Sequence, residues 1–191
     1  NKTPIDELLS VSTRAGDHCV HRSPLDSFAE GQQTLDSFKK QLGELHGLAL
    51  CAGRVPWKKE EQLTSQDWAE ATFELTALPY SMALYFSRIC ELKSRIVALS
   101  SISAKYGGSS TSRHYGAAKA ALESCFFGLS RSLADQNICV NIVRAGFIVT
   151  PQQTKGRTAE EIEQRIQKIP FGRPGCTDEV ANLFSFLFSA K

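Results

Sequence analysis

Short apolar runs alternate along this chain with longer stretches in which apolar residues recur every three or four positions. The runs at 45–51 (LHGLALC), 95–99 (RIVAL) and 138–143 (ICVNIV) read as buried strands. Residues 17–22 (DHCVHR) read as a further strand, after a short helix over 4–15 that ends at Gly16. Residues 26–42 carry Phe28, Leu35, Phe38 and Leu42 at helical spacing, with Asp26 near the start. A long helix is predicted over 65–92, capped by Thr64 or Ser65 and kinked at Pro79. Residues 113–134 form a helix rich in small residues, and Thr177-Asp178-Glu179 opens a final helix with carboxylates at its positive end. The polar stretch 151–170 reads as a loop with an inserted helix. Strand and helix alternate throughout, which predicts an α/β fold with a parallel sheet covered by helices on both faces.

Composition adds little to this picture and removes several function classes. The 191 residues suit one domain, with 42% hydrophobic and 22% charged residues and a net charge of +2. Basic and acidic residues are mixed, so the balance points to no nucleic acid and no membrane surface. No apolar run approaches the roughly 18–20 residues that span a bilayer. Six widely spaced cysteines without C-x-x-C read as reduced core thiols of a cytoplasmic protein. The four histidines do not fall at metal-ligand spacing, and no metal is assigned.

The candidate chemistry lies in Tyr115-Gly116-Ala117-Ala118-Lys119, with Ser101 upstream at a strand end. Tyr and Lys at i and i+4 share one helix face. A phenol ordinarily titrates near pH 10, and an adjacent ammonium favours the phenolate and lowers that value. Such a phenol exchanges a proton with a carbonyl or alcohol oxygen. A serine hydroxyl at the strand end hydrogen-bonds the same oxygen as charge builds on it.

The stretch 95–150 resembles the short-chain dehydrogenase/reductase family from strand to strand, and more closely its branch of 3-oxoacyl carrier-protein reductases. Further segments carry the resemblance. Leu50-Cys51-Ala52-Gly53 is similar to the Asn-Asn-Ala-Gly turn after the fourth strand. Ala145-Gly146-Phe147-Ile148-Val149-Thr150 is similar to the Pro-Gly-x-x-x-Thr segment that meets the nicotinamide. Phe171-Gly172-Arg173-Pro174-Gly175 followed by Thr177-Asp178-Glu179-Val180-Ala181 matches the late Gly-Arg segment and helix.

The resemblance implies a Rossmann-type doubly wound sheet and hydride transfer between NAD or NADP and a carbonyl/alcohol substrate. It makes Tyr115 the acid/base, with Lys119 lowering its pKa and binding the nicotinamide ribose, and Ser101 polarising the substrate oxygen. Ala52, Gly53, Gly146, Ile148 and Thr150 join Tyr115 and Lys119 around the cofactor. Residues 150–175 would form the substrate-binding loop region of a single domain over 1–191. The substrate would be a small or carrier-bound carbonyl compound. The helices over 65–92 and 113–134 are those by which relatives pair as dimers or tetramers. Here they carry Met82, Tyr85, Phe86, Leu122, Phe126 and Phe127, more apolar surface than one sheet face need bury.

The chain also departs from the family pattern. The Ser–Tyr spacing is one residue longer than usual. Anchoring on the strand selects Ser101, with Ser103 as the alternative. The place of a helix asparagine that relays protons falls to Glu74, or to Leu75 in a shifted register. Cys51 stands for an asparagine and Ala145 for a proline. The family's opening strand and Thr-Gly-x-x-x-Gly-x-Gly turn, which seats a pyrophosphate on backbone amides, has no counterpart here, and its final strand is also absent. The fold is therefore expected to be incomplete at both ends, as in a fragment of a longer protein. These departures keep open an alternative function, a catalytically weak or inactive scaffold or binding protein.

Overall fold

In a computed structural model of the chain, the described residues are 25–53, 57–154 and 157–189. Three parallel strands, β1 (Gly47–Leu50), β2 (Arg95–Ser101) and β3 (Cys139–Ala145), lie side by side in that order. Gly47 pairs with Arg95, and Arg95 in turn with Cys139, so the three strands start level. The helix expected over 4–15 and the strand over 17–22 lie outside the described residues.

The centre of β2 is apolar on both sides, as a parallel strand covered on both faces requires. Ile96 and Ala98 face one layer, where they meet Phe86, Leu122 and Phe126. Val97 faces the other layer, with Val143 and Phe184. The first layer comprises α1 (Phe28–Leu42), α3 (Leu78–Ile89) and α5 (Arg113–Leu133); the second is α8 (Thr177–Phe188). This is the α/β architecture expected, with helices on both faces of a parallel sheet.

Side chains fix the helix starts. Ser27, one residue past Asp26, caps α1 by accepting the Glu30 amide, and the Glu30 carboxylate accepts the Asp26 amide in return. Thr64 and Asp67 form a reciprocal capping box at α2 (Ser65–Thr72), and Lys58 reaches Asp67 at 2.6 Å.

The long helix expected over 65–92 is not continuous. Between α2 and α3 the backbone opens into a π turn, Phe73–Ala77, in which the Leu78 amide reaches back to the Phe73 carbonyl. Pro79 follows directly. It has no N–H to return to the preceding turn and its ring crowds a regular helix, so the disturbance takes the form of a widened turn before it.

Two other expectations change. The described cysteines are unpaired, but none is buried: Cys51, Cys139 and Cys176 are exposed and Cys90 and Cys125 half-buried. Their apolar neighbours in sequence point inward while the thiols sit at strand ends, on a helix flank or at a cap. The apolar residues expected to serve a partner surface are largely used within the chain. Phe86, Leu122 and Phe126 belong to the core, Met82 packs on Gly31 of α1, and Tyr85 donates to Asp36 at 2.7 Å. Phe127 remains exposed.

Candidate active site

β2 and β3 end together, with Ser101 paired to Ala145. The chain then turns through Ile102, whose amide donates to the Ala145 carbonyl at 2.8 Å, into the short helix α4 (Ser103–Tyr106). Helix α5 starts against this turn. An added Cβ at Gly116 would lie 2.9 Å from the Gly107 carbonyl carbon and the Ser103 oxygen, so glycine is what lets the helix approach. That close approach brings Tyr115 and Lys119 over the strand ends.

A cavity of about 860 Å³ opens there. Its lining includes every residue assigned from the sequence: Ser101, Tyr115 and Lys119, together with Ala52, Gly53, Gly146, Ile148 and Thr150. Gln153, which the sequence reading did not single out, joins them from helix α6 (Pro151–Thr154). Ser101 also accepts the Ser103 amide at 3.1 Å, and its hydroxyl is hydrogen-bonded to the Tyr115 phenol. Ser103 lines only a neighbouring cleft, which Ser101 and Tyr115 also reach.

Lys119 is 6% exposed and donates from Nζ to the Leu99 carbonyl at 2.7 Å. Burial disfavours its charge and pushes its pKa down to about 8. Burial likewise raises the Tyr115 phenol, against which the Ser101 hydrogen bond pulls only in part. The expected lowering of Tyr115 by Lys119 is therefore not met in this geometry. The Lys119 nitrogen is 5.9 Å from the phenol ring centre and committed to a backbone oxygen. Cys51 sits close enough for the Lys119 charge to favour its thiolate, but partial enclosure at the cavity wall, though the residue as a whole is exposed, outweighs this and raises its pKa.

Glu74 lines an adjoining cavity with Leu78 and Met82. The residue facing the site from the π turn is Leu75, fully buried against Ala71, Ala118 and Tyr115. A Cβ placed on Gly53 would meet Leu75 Cδ2 at 2.5 Å and Lys119 Nζ at 3.9 Å. Of the two residues considered for the relay position, Leu75 is thus the one packed against Tyr115 and Gly53.

The site suits the nicotinamide end of a dinucleotide. Gly53 has φ +157° and its missing side chain leaves the turn bare between Leu75 and Lys119. Gly146 has no atom within 4 Å of where a Cβ would project. Ile148 bridges to Gly175, and paired backbone bonds, Val149 N–H to Gly175 O and Gly175 N–H to Phe147 O, hold the far wall.

Comparison with known proteins agrees with this geometry. A family model described as Enoyl-(Acyl carrier protein) reductase matches residues 6–191. An acetoacetyl-CoA reductase of Synechocystis sp. is 34% identical over 152 residues, which cover 78% of this chain and 62% of that protein. The 3-oxoacyl-acyl-carrier-protein reductase FabG of Buchnera aphidicola is 32% identical over 131 residues, covering 68% and 53%. A dehydrogenase/reductase structure from Sinorhizobium meliloti superimposes with a TM-score of 0.80 at 26% identity, covering 85% of this chain and 64% of that one. The chain thus spans between about half and two thirds of the length of these relatives. With the matched family model, the parallel sheet and the shared architecture together, the chain belongs to the short-chain dehydrogenase/reductase family, in its 3-oxoacyl-carrier-protein-reductase-like branch.

Proposed function

We propose that this chain carries the active site of an NAD- or NADP-dependent oxidoreductase acting on a carbonyl/alcohol pair. The observation that carries the reading is convergence: Ser101, Tyr115 and Lys119 open onto one cavity with Gly53, Gly146, Ile148 and Thr150. The nicotinamide supplies hydride exchange with the substrate carbon when bound. The protein supplies the rest. Ser101 donates to the substrate oxygen and Tyr115 passes a proton to or from it. Lys119 fixes a positive charge beneath them, anchored on the Leu99 carbonyl. Gly53 and Gly146 keep the floor open, and Thr150 offers a hydroxyl to the carboxamide.

The segment 150–175 covers the substrate side of this single domain, and the substrate is a small or carrier-bound carbonyl compound. Exposed Phe127 and Trp68 mark the face on which a second copy pairs, as a dimer or tetramer. The protein works in the cytoplasm.

Tyr115→Phe tests the catalytic assignment. Turnover should fall by about 10²–10⁴-fold while cofactor affinity holds; unchanged turnover rejects the role.

One observation favours the second reading, a weak or inactive scaffold. Leu75 puts a hydrocarbon against Tyr115, and burial raises the Tyr115 phenol. Titrating the protein against NADH and NADPH fluorescence separates the two. Binding of either with measurable carbonyl reduction supports the enzyme, and binding of neither supports the scaffold.

A further inference from the structure

The cleft that Ser101 and Tyr115 share continues outward between Tyr106, Phe147, Trp57 and Arg165. Trp57 and Arg165 also line a second, polar cavity with Arg157, Lys168 and Glu161. The two spaces therefore meet at one indole and one guanidinium, and the outer one is basic: three cations face one carboxylate.

The arrangement of the cations is costly unless something offsets it. Arg157 lies 4.4 Å from the Trp57 ring centre, and Arg165 lies 5.9 Å from the same ring and 5.7 Å from Phe147. Each gains from an aromatic face, but two like charges share one indole. Arg157 is held in place by donating to the Gln153 carbonyl, and Gln153 lines both the main cavity and the cleft. One local carboxylate, Glu161, favours the Arg157 charge while it caps helix α7 (Ala159–Ile166), where it accepts the Thr158 amide at 2.9 Å, but a single carboxylate leaves the three cations in excess. Burial and the neighbouring Arg165 both act against the charge on Arg157. Guanidiniums stacked on aromatics keep their N–H edges free, and paired forks of this kind match an oxyanion.

We propose that Arg157 and Arg165, seated on Trp57, form an anion subsite at the outer end of the substrate cleft. It selects carbonyl or alcohol substrates that carry a carboxylate or phosphate group away from the reacting carbon. This deepens the oxidoreductase reading and rests on it for the substrate's reacting end; the anion site itself does not. Arg165 is the gate between the two spaces, since it touches both. Trp57 supplies the platform on which both guanidiniums sit.

The test uses tryptophan emission of the full chain, titrated with inorganic phosphate, with acetate, and with chloride at matched ionic strength. Phosphate or acetate should give a saturable change that chloride does not, and the anion that acts names the headgroup. W57F should lose the response. R157Q and R165Q should each weaken it about tenfold, while R157K and R165K, which keep the charge, should recover part of it. Far-UV circular dichroism checks that each variant is folded. A response equal to that of chloride, or one retained in W57F or in the folded R157Q/R165Q double variant, overturns the proposal. A second arm compares kcat/KM for 4-oxobutanoate and butanal. The ratio should favour the anion and fall about tenfold in R165Q. A ratio indifferent to R165Q also overturns the proposal. Failure to turn over either aldehyde counts against the oxidoreductase reading and leaves the fluorescence arm to decide the anion site.

Discussion

Tyr115 and Arg165 look into the same cleft from supports of opposite character. Tyr115 rides on α5, a 21-residue helix whose inner face is buried along its length. Behind it, Glu123 ties three elements together: it accepts from Ser100 of β2 at 2.6 Å and from Nε and Nη2 of Arg144 of β3. Arg165 rides on α7, eight residues long with none buried, held at its start by a capping box. The groups proposed to react are thus built into the core, while those proposed to meet the rest of the substrate stand on a surface helix. Chemistry that must keep its geometry is placed where local opening is expensive, and selectivity where it is cheap.

The comparison can be broken at the core side first. Lys119 is depressed from 10.5 to about 8 by burial, so between those values the unfolded chain holds a proton that the folded chain has released. Stability should therefore rise with pH across that window, by about 3 kcal/mol from this one group. Below pH 8 both states are protonated and its contribution is flat. Lys119→Met should abolish the rise, seen as parallel urea midpoints at pH 8 and pH 10. A persistent rise would mean that another group titrates there.

Glu123→Ala comes next. It leaves Ser100 buried without its partner and strips Arg144 of its ion pair. Because Arg144 is 41% exposed and regains water, the loss should be about 2 kcal/mol, below that of a fully buried pair. Urea denaturation reads it, and an unchanged midpoint would remove the strut from the account.

The smallest effect belongs to the surface side. Thr158→Ala removes the α7 cap and should cost about 1 kcal/mol locally. Amide exchange in α7 should quicken while the global midpoint stays put. A matching fall in the global midpoint would show that α7 unfolds with the core and erase the distinction.

The sequence carried the core side well and the surface side poorly, for a physical reason. Strand runs such as RIVAL and the Tyr115–Lys119 spacing are dictated by burial and helix periodicity, so pattern alone locates them. The assigned site residues indeed share one cavity. Leu75 was harder, because a π turn shifts the face on which each residue lands and no propensity scale announces it. The lowering expected for Tyr115 assumed that Lys119 would point at the phenol, but its amine is drawn to the Leu99 carbonyl by a depth of burial that spacing does not reveal. Trp57, Arg157 and Arg165 lie about a hundred residues apart at the extremes of the cluster, and only the fold brings them together.

The π turn has a consequence for how this helix tolerates change in length. Ala71, Leu75, Leu78, Met82 and Phe86 would form one unbroken stripe in a regular helix. In the structure they serve different neighbours. Ala71 and Leu75 press on Ala118 beside the active site, whereas Leu78 and Met82 close over Gly31 of α1 and Phe86 enters the sheet core. One extra residue in the turn lets a single helix address both. Closing the turn to a regular one without changing the number of residues would swing everything after it by about 100°, whereas deleting one residue as it closes would leave the later faces nearly in place. The segment is thus a phase-setter: whether this turn stays wide decides which neighbour each later residue of the helix meets.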